Sequence, residues 1–225
     1  MNKYNKFLFH CSSLPLLMTN SRVKGQLSET TKTELEKLWV EVEYGRKMDV
    51  KTKYTEKGIQ CEQLGIDLLN NKDNRRYFKN VNLYSNDFII GTPDVVSTDI
   101  YDIKISWDLL NFVKSKEDKA RKDYYYQLLG YMMLTETKVG FIVYCLVNTP
   151  QIFITDELYK ATFQMAEDSQ EYKAYKTQLI KNMTFNDIPE EKRIKVFKFE
   201  RDENQELVLK ARVIEWRAYM NSLSL

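Results

Sequence analysis

Residues that ligate soft metals, cross-link a chain or interrupt its regular structure are scarce in this sequence. Histidine occurs once, as His10, and with no second histidine or cysteine pattern beside it no histidine-based zinc site can be assembled. The three cysteines, Cys11, Cys61 and Cys145, are odd in number and far apart, which excludes a disulfide framework and a cysteine-rich zinc or iron-sulfur centre. They read as small core residues, and a reducing cytoplasm is the compartment they fit. Only 7 glycines and 4 prolines are spread over 225 residues, too few for a loop-rich sandwich, a collagen-like chain or a disordered tail. Long apolar runs are missing as well: residues 7–9 and 14–18 are too short for a signal peptide, and nothing approaches the ~18 apolar residues of a membrane span. The chain is therefore expected to be soluble and unexported, with no membrane partner. Neither sign of charge is in excess, since 34 basic residues face 32 acidic ones, and a net charge of +2 identifies no polyanionic partner.

What is present suffices for a buried core, with 43% hydrophobic and 13% aromatic residues. No linker, repeat or low-complexity block divides the chain, so residues 1–225 are expected to form a single domain. Residues 6–18 read as a loop with a short helix, followed by a polar loop carrying Arg22 and Lys24. From Ser28 onward Leu35, Leu38, Trp39 and Val42 recur at helical spacing until Gly45 supplies a stop. A second helix is expected from an N-cap at Thr55 through Ile59, Glu62, Ile66 and Leu69 to Asn70-Asn71, which sets Glu62 on the apolar stripe. Residues 81–84, 87–90, and Val95-Val96 turning at Ser97-Thr98-Asp99 into 100–106 read as successive antiparallel strands. Residues 117–135 are helical, 139–147 suit a central buried strand, and 152–155 suggest an edge strand. Asp156 and Ser169 read as N-caps, 194–199 alternate like a strand, and 206–223 make an amphipathic C-terminal helix.

The chemistry is concentrated in Gly91-Thr92-Pro93-Asp94 and Asp102-Ile103-Lys104. Alternate side chains of a strand share a face, so Asp102 and Lys104 stand side by side while Tyr101, Ile103 and Ile105 point the other way. Charges in an otherwise apolar strand need compensation, because desolvating an unpaired one costs several kcal/mol. The turn lets Asp94 approach Asp102, and two carboxylates that close repel unless a proton or cation lies between them. Glu62 adds a third oxygen donor from a different element. An all-oxygen set without histidine suits Mg²⁺, with Mn²⁺ as a substitute, rather than zinc.

Taken together and in this order, these residues resemble the PD-(D/E)XK nuclease superfamily. Lys57-Gly58-Ile59-Gln60-Cys61-Glu62 resembles the acid-bearing helix of the branch containing phage lambda exonuclease and the YqaJ-like viral recombinases. Gln127-Leu128-Leu129-Gly130-Tyr131 resembles the QxxxY motif of that branch and of RecB-type nucleases, and on a helix Gln127 and Tyr131 share a face. The resemblance spans about residues 12–147, with weaker echoes in 188–197 and the C-terminal helix. It implies an α/β restriction-endonuclease-like core, a central mixed sheet flanked by helices, with helical extensions at both ends. It further implies metal ligation by Glu62, Asp94, Asp102 and the backbone carbonyl of Ile103, with Lys104 at the attacking water. Gln127 would position the acid cluster and substrate, and Tyr131 would pack against nucleotide or core. Ser12, Ser13 and Arg22 fall where lambda-like enzymes hold a terminal 5′ phosphate. The last acid is Asp102 where many relatives carry Glu, a shorter ligand within the motif.

The activity implied is a magnesium-dependent DNA exonuclease acting at duplex ends in phage recombination or repair, in the cytoplasm of a bacterial host. A single-strand annealing recombinase as partner and a ring-shaped homotrimer are implied by the same branch. A RecB-like or repair-type endonuclease, and a DNA-end-binding protein retaining the fold without catalysis, are the alternatives. The basic run Lys114, Lys116, Lys119, Arg121 and Lys122 leading into Tyr124-Tyr125-Tyr126 could contact a backbone and stack on unpaired bases, or be an ordinary solvated helix face. Singly, Asp94 reads as a turn residue, Asp102 with Lys104 as a solvated strand face, Glu62 as a surface acid and Gln127 with Tyr131 as a helix face.

Overall fold

Capping side chains set the start of most of the long helices. The computed structural model describes residues 3–48 and 52–225. It begins with a 3-10 turn at Lys3–Lys6, strand β1 (Phe9–His10), a second 3-10 turn at Cys11–Ser13 and the short helix α1 (Leu14–Leu17). Helix α2 (Glu29–Tyr44) starts where the Ser28 side chain accepts the Thr31 N–H, and stops at Gly45, whose φ of 63° is a left-handed conformation open to glycine. Helix α3 (Lys53–Asp73) is capped by Thr52 rather than by Thr55. Thr55 instead completes a reciprocal capping box, so the earlier start satisfies two otherwise orphaned N–H groups. It also runs past Asn70-Asn71, ending at Asn74 with φ 48°.

The strands sort into two sheets. Strands β2 (Tyr84–Ser85) and β3 (Ile89–Gly91) form an antiparallel hairpin, and β1 adds to β3 in parallel, giving the order β1-β3-β2. Strands β4 (Val95–Val96), β5 (Ile100–Ile105), β6 (Val139–Cys145) and β7 (Ile194–Glu200) make the central mixed sheet in the order β4-β5-β6-β7. The β5–β6 pair is parallel and its neighbours antiparallel, with Asp102 opposite Ile142 and Lys104 opposite Tyr144. The expected run of antiparallel strands is thus two hairpins in separate sheets. Pro93, which cannot donate to a ladder, falls between β3 and β4.

Between β5 and β6 lie α4 (Leu109–Lys114), which the apolar pattern had not marked, and α5 (Glu117–Thr135). The crossover follows the requirement that parallel strands be joined by a long connection. Helix α6 (Gln151–Ala161) contains the residues expected to be an edge strand, and Asp156 lies inside it rather than capping it. Pro150 occupies the N-cap, and Ile154, Leu158 and Ala161 then recur at helical spacing, so the helical period wins over the short apolar run. Ser169 does cap α7 (Gln170–Met183), and Asp202 caps α8 (Glu203–Ser222).

The sheet separates two cores. One face packs Ile100, Ile142 and Phe199 against Leu128 and Leu129 of α5 and Trp216 of α8; the other packs Tyr101, Ile103, Val143 and Cys145 against Cys61, Ile66 and Leu69 of α3. Helix α3 approaches the sheet closely at Gly65, where a Cβ would fall 2.6 Å from the Ile103 Cγ2 atom. All three cysteines are buried and free, as packing residues would be.

Candidate active site

Strand alternation places Asp102 and Lys104 on the α5 side of β5, and the structure brings them together as expected. Asp102 is 1% exposed. The Lys104 ammonium lies 2.9 Å from its Oδ2 and donates to its Oδ1 at 3.1 Å. It also donates to Gln127 Oε1 at 3.1 Å and stands 4.4 Å over the Tyr124 ring. The Gln127 amide in turn donates to Asp102 Oδ1 at 3.3 Å and to the Tyr131 hydroxyl at 3.0 Å. Gln127 and Tyr131 therefore share a helical face, one turn apart, and tie α5 to the charged pair.

Because β4 covers only the first two residues of β5, the far edge of β5 is open. Asp94 fills it: its Oδ2 accepts the Ile103 N–H at 2.6 Å. A residue's N–H and C=O point to the same side of a strand, so the Ile103 carbonyl faces this edge too. Burial, reinforced by Asp102, pushes the Asp94 carboxyl up to about 7, against the pull of Lys104 and the Ile103 N–H. Burial raises Asp102 as well, with Lys104 opposing. Burial works against charge on Lys104, but Asp102 and Asp94 outweigh it and hold the ammonium above its ordinary range. Two acids share one base, so the cluster favours added positive charge.

Glu62 reaches the same cleft from α3. Its Oε2 accepts from Lys79 at 3.0 Å, while its Oε1 is buried with no hydrogen-bond partner. The cleft, about 890 Å³, is lined by Glu62, Asp94, Asp102, Ile103, Lys104 and Gln127. In this side-chain arrangement, among the described residues, no three His, Cys, Asp or Glu side chains stand close enough to hold an ion. The acids surround one cleft but are turned toward Lys79, the Ile103 N–H and Lys104. The donor chemistry nevertheless fits a hard divalent cation. All donors are oxygens, and two of them, Glu62 Oε1 and Asp102 Oδ2, are buried without an aligned hydrogen-bond donor.

The remaining expected residues divide. Ser12 lines the cleft, whereas Ser13 is half-buried in a 3-10 turn and Arg22 lies in a separate hollow with Arg212 and Glu215. Tyr131 is buried in the core and meets the site through Gln127. Of the basic run, Lys119 lines the cleft, while Arg121 packs over the Phe199 ring at 4.9 Å beside Glu117. Of the tyrosine run, Tyr124 lines the cleft and Tyr125 is buried. Sequence reasoning missed Lys79, which carries no motif, and Tyr144, whose place beside Lys104 follows only from the β5–β6 register.

A mixed sheet carrying acid and lysine on its inner strand, a further acid on the packed helix and a glutamine–tyrosine pair on the crossover helix agree with the resemblance to the lambda exonuclease-like branch of the PD-(D/E)XK nucleases, and solved exonucleases share this fold. The chain is similar to a phage-related exonuclease from Haemophilus somnus 129PT, at 26% identity and a TM-score of 0.81, over 98% of this chain and 96% of that one. It is also similar to the alkaline exonuclease LHK-Exo from Laribacter hongkongensis, at 13% identity and a TM-score of 0.65, over 98% of this chain and 91% of the other. The same enzyme in complex with dAMP matches at 13% identity and a TM-score of 0.65, over 96% and 88% of the two chains. At that identity the LHK-Exo likeness speaks for the fold alone. No family model and no curated protein matches the sequence.

Proposed function

We propose that the chain is a divalent-metal-dependent DNA exonuclease that hydrolyses phosphodiester bonds at duplex ends. The observation that carries this reading is the Lys104 ammonium held between Asp102 and Gln127 inside an acid-lined cleft in which Glu62 Oε1 is buried without a partner. Likeness to a phage-related exonuclease over nearly the whole chain supports it.

Glu62, Asp94, Asp102 and the Ile103 carbonyl are the groups that would hold Mg²⁺, or Mn²⁺ in its place. When bound, such an ion supplies a lowered pKa for the attacking water and positive charge for the phosphate oxygens. Lys104 orients the water and stabilises charge developing on the phosphate, its own position fixed by Asp102 and Gln127. Gln127 keeps Lys104 and Asp102 in register, which limits the reorganisation needed as the bond breaks. Ser12 and Lys119, on the cleft wall, contact the DNA backbone. A bacterial host cytoplasm, a single-strand annealing recombinase as partner and a ring-shaped homotrimer complete the reading as expectations of this branch. Among the described residues no helix is long and apolar enough to cross a membrane.

Incubation of linear and closed circular duplexes with Mg²⁺ tests the proposal. Degradation of the linear form alone is expected. Cleavage of both would make it an endonuclease, and cleavage of neither a binding protein. Lys104→Ala is expected to abolish cleavage while sparing DNA binding.

A further inference from the structure

Lys57 is a buried cation outside the cleft, at 1% exposure on α3. Its ammonium is met by neutral oxygens: it donates to the Ser106 carbonyl at 3.2 Å, the Trp107 carbonyl at 2.8 Å and the Thr149 hydroxyl at 3.0 Å. The Trp107 and Phe185 rings lie 5.3 and 5.9 Å from it. Ser106 and Trp107 continue β5 directly beyond Ile105, and Thr149 follows β6. One side chain thus ties α3 to the ends of both parallel strands.

A second tie lies on the other side of Glu62. At Gly65 the helix backbone rests on β5 so closely that a Cβ would come within 2.6 Å of Ile103 and 2.9 Å of Ile105. Glu62 is five residues after Lys57 and three before Gly65, and Cys61 beside it is wholly buried. An apolar side chain would fill the Lys57 space without desolvating a charge. What the ammonium adds is three directed hydrogen bonds, which set the helix in one position along the strand.

We propose that Lys57 is a positioning residue of the active site: it locks the helix that carries Glu62 against the strand that carries Asp102 and Lys104. The inference rests on the reading of the cleft as a nuclease centre with Glu62 among its ligands. Lys57 itself touches neither substrate nor ion.

Lys57→Met keeps most of the length of the unbranched side chain and removes its donors. Calorimetric titration with Mn²⁺ alone is expected to show affinity weakened by about tenfold or more, and kcat on a linear duplex to fall about tenfold, with KM within about twofold of wild type. Hydrogen exchange at amides 58–64 is expected to quicken while the amides of α8 keep their protection. Leu209→Ala, in the opposite core, is the control: it lowers Tm and leaves Mn²⁺ affinity and kcat unchanged. If Lys57→Met behaves like that control, losing Tm alone, the proposal is overturned. Should Lys57→Met not fold, Thr149→Val removes one of the three acceptors and is read in the same way, with unchanged Mn²⁺ affinity and exchange overturning it. A wild-type chain that cuts no DNA would sink the nuclease reading, while Mn²⁺ affinity and exchange at 58–64 would still decide the role of Lys57.

Discussion

Gln127 donates to the hydroxyl of Tyr131, one helical turn further along α5, at 3.0 Å, and the oxygen of the same amide accepts from Lys104. Tyr131 is buried, so it acts on the active site only through Gln127. Tyr131→Phe should therefore cost about 1 kcal/mol of stability, the net value of one hydrogen bond, and leave most of the activity. Gln127→Ala should lose far more activity, since it strips Lys104 and Asp102 of a shared partner. Parallel melting and cleavage assays check both. Equal loss of activity in the two variants would show that Tyr131 meets the DNA directly.

Asp102 supplies the nearest negative charge to Lys104. Asp102→Asn preserves the shape and one acceptor but removes that charge. The variant should fold with a loss of about 1–3 kcal/mol, and its Mn²⁺ affinity, read by calorimetry, should drop by about tenfold or more. Undiminished Mn²⁺ binding would remove Asp102 from the ligand set.

Gly65 has no room for a methyl group, because both Ile103 and Ile105 lie within 3 Å of the position it would take. Gly65→Ala should lose about 1–3 kcal/mol through overpacking, measured by denaturant unfolding. It should also reduce cleavage, since the displaced segment carries Glu62. A Gly65→Ala variant with wild-type stability would mean that α3 slides freely on β5.

Burial pushes the Lys57 ammonium down to about 8, with Cys61 and Asp108 only partly offsetting it. Its folded pKa lies below the ~10.4 of an unfolded lysine, so between those values the unfolded chain binds more protons and this group makes stability rise with pH. The buried thiols of Cys11, Cys61 and Cys145 are held above the thiol range and pull the other way. Lys57→Met retains those thiols, so the difference between wild type and variant reads the lysine together with its coupling to Cys61. That difference in unfolding free energy should shift by about 2 kcal/mol in favour of wild type between about pH 7.5 and pH 9.5. A constant difference would mean that Lys57 titrates like an exposed lysine.

The helices were the most legible part of the chain. Helix α5 has the bounds its composition indicated, and Ser28, Gly45 and Ser169 perform the capping their residue types suggest. Short elements were less legible. Strand β1 has two residues and is defined only by its parallel partner β3, and α4 has a single amphipathic turn and a half. Within the site, the shared face of Asp102 and Lys104 follows from strand alternation, and that of Gln127 and Tyr131 from helical spacing. Arg22 could not be placed by such rules, because the loop that carries it packs toward α8 rather than toward the cleft.

Local periodicity thus determined by itself which residues could share a face, acid beside lysine on β5 and glutamine beside tyrosine on α5, but it set Glu62 on a stripe with Ile59, which is exposed, while Cys61, Ile66 and Leu69 form the buried face of α3. These relations depend on backbone geometry that repeats every two or every 3.6 residues, whatever the rest of the chain does. Tertiary structure alone decided which faces meet. That Gln127 bonds Lys104, that Tyr144 stands beside them and that Lys57 grips the ends of two strands depend on register and helix docking. Those are set by burial summed over the whole core, a quantity that no short stretch of sequence contains.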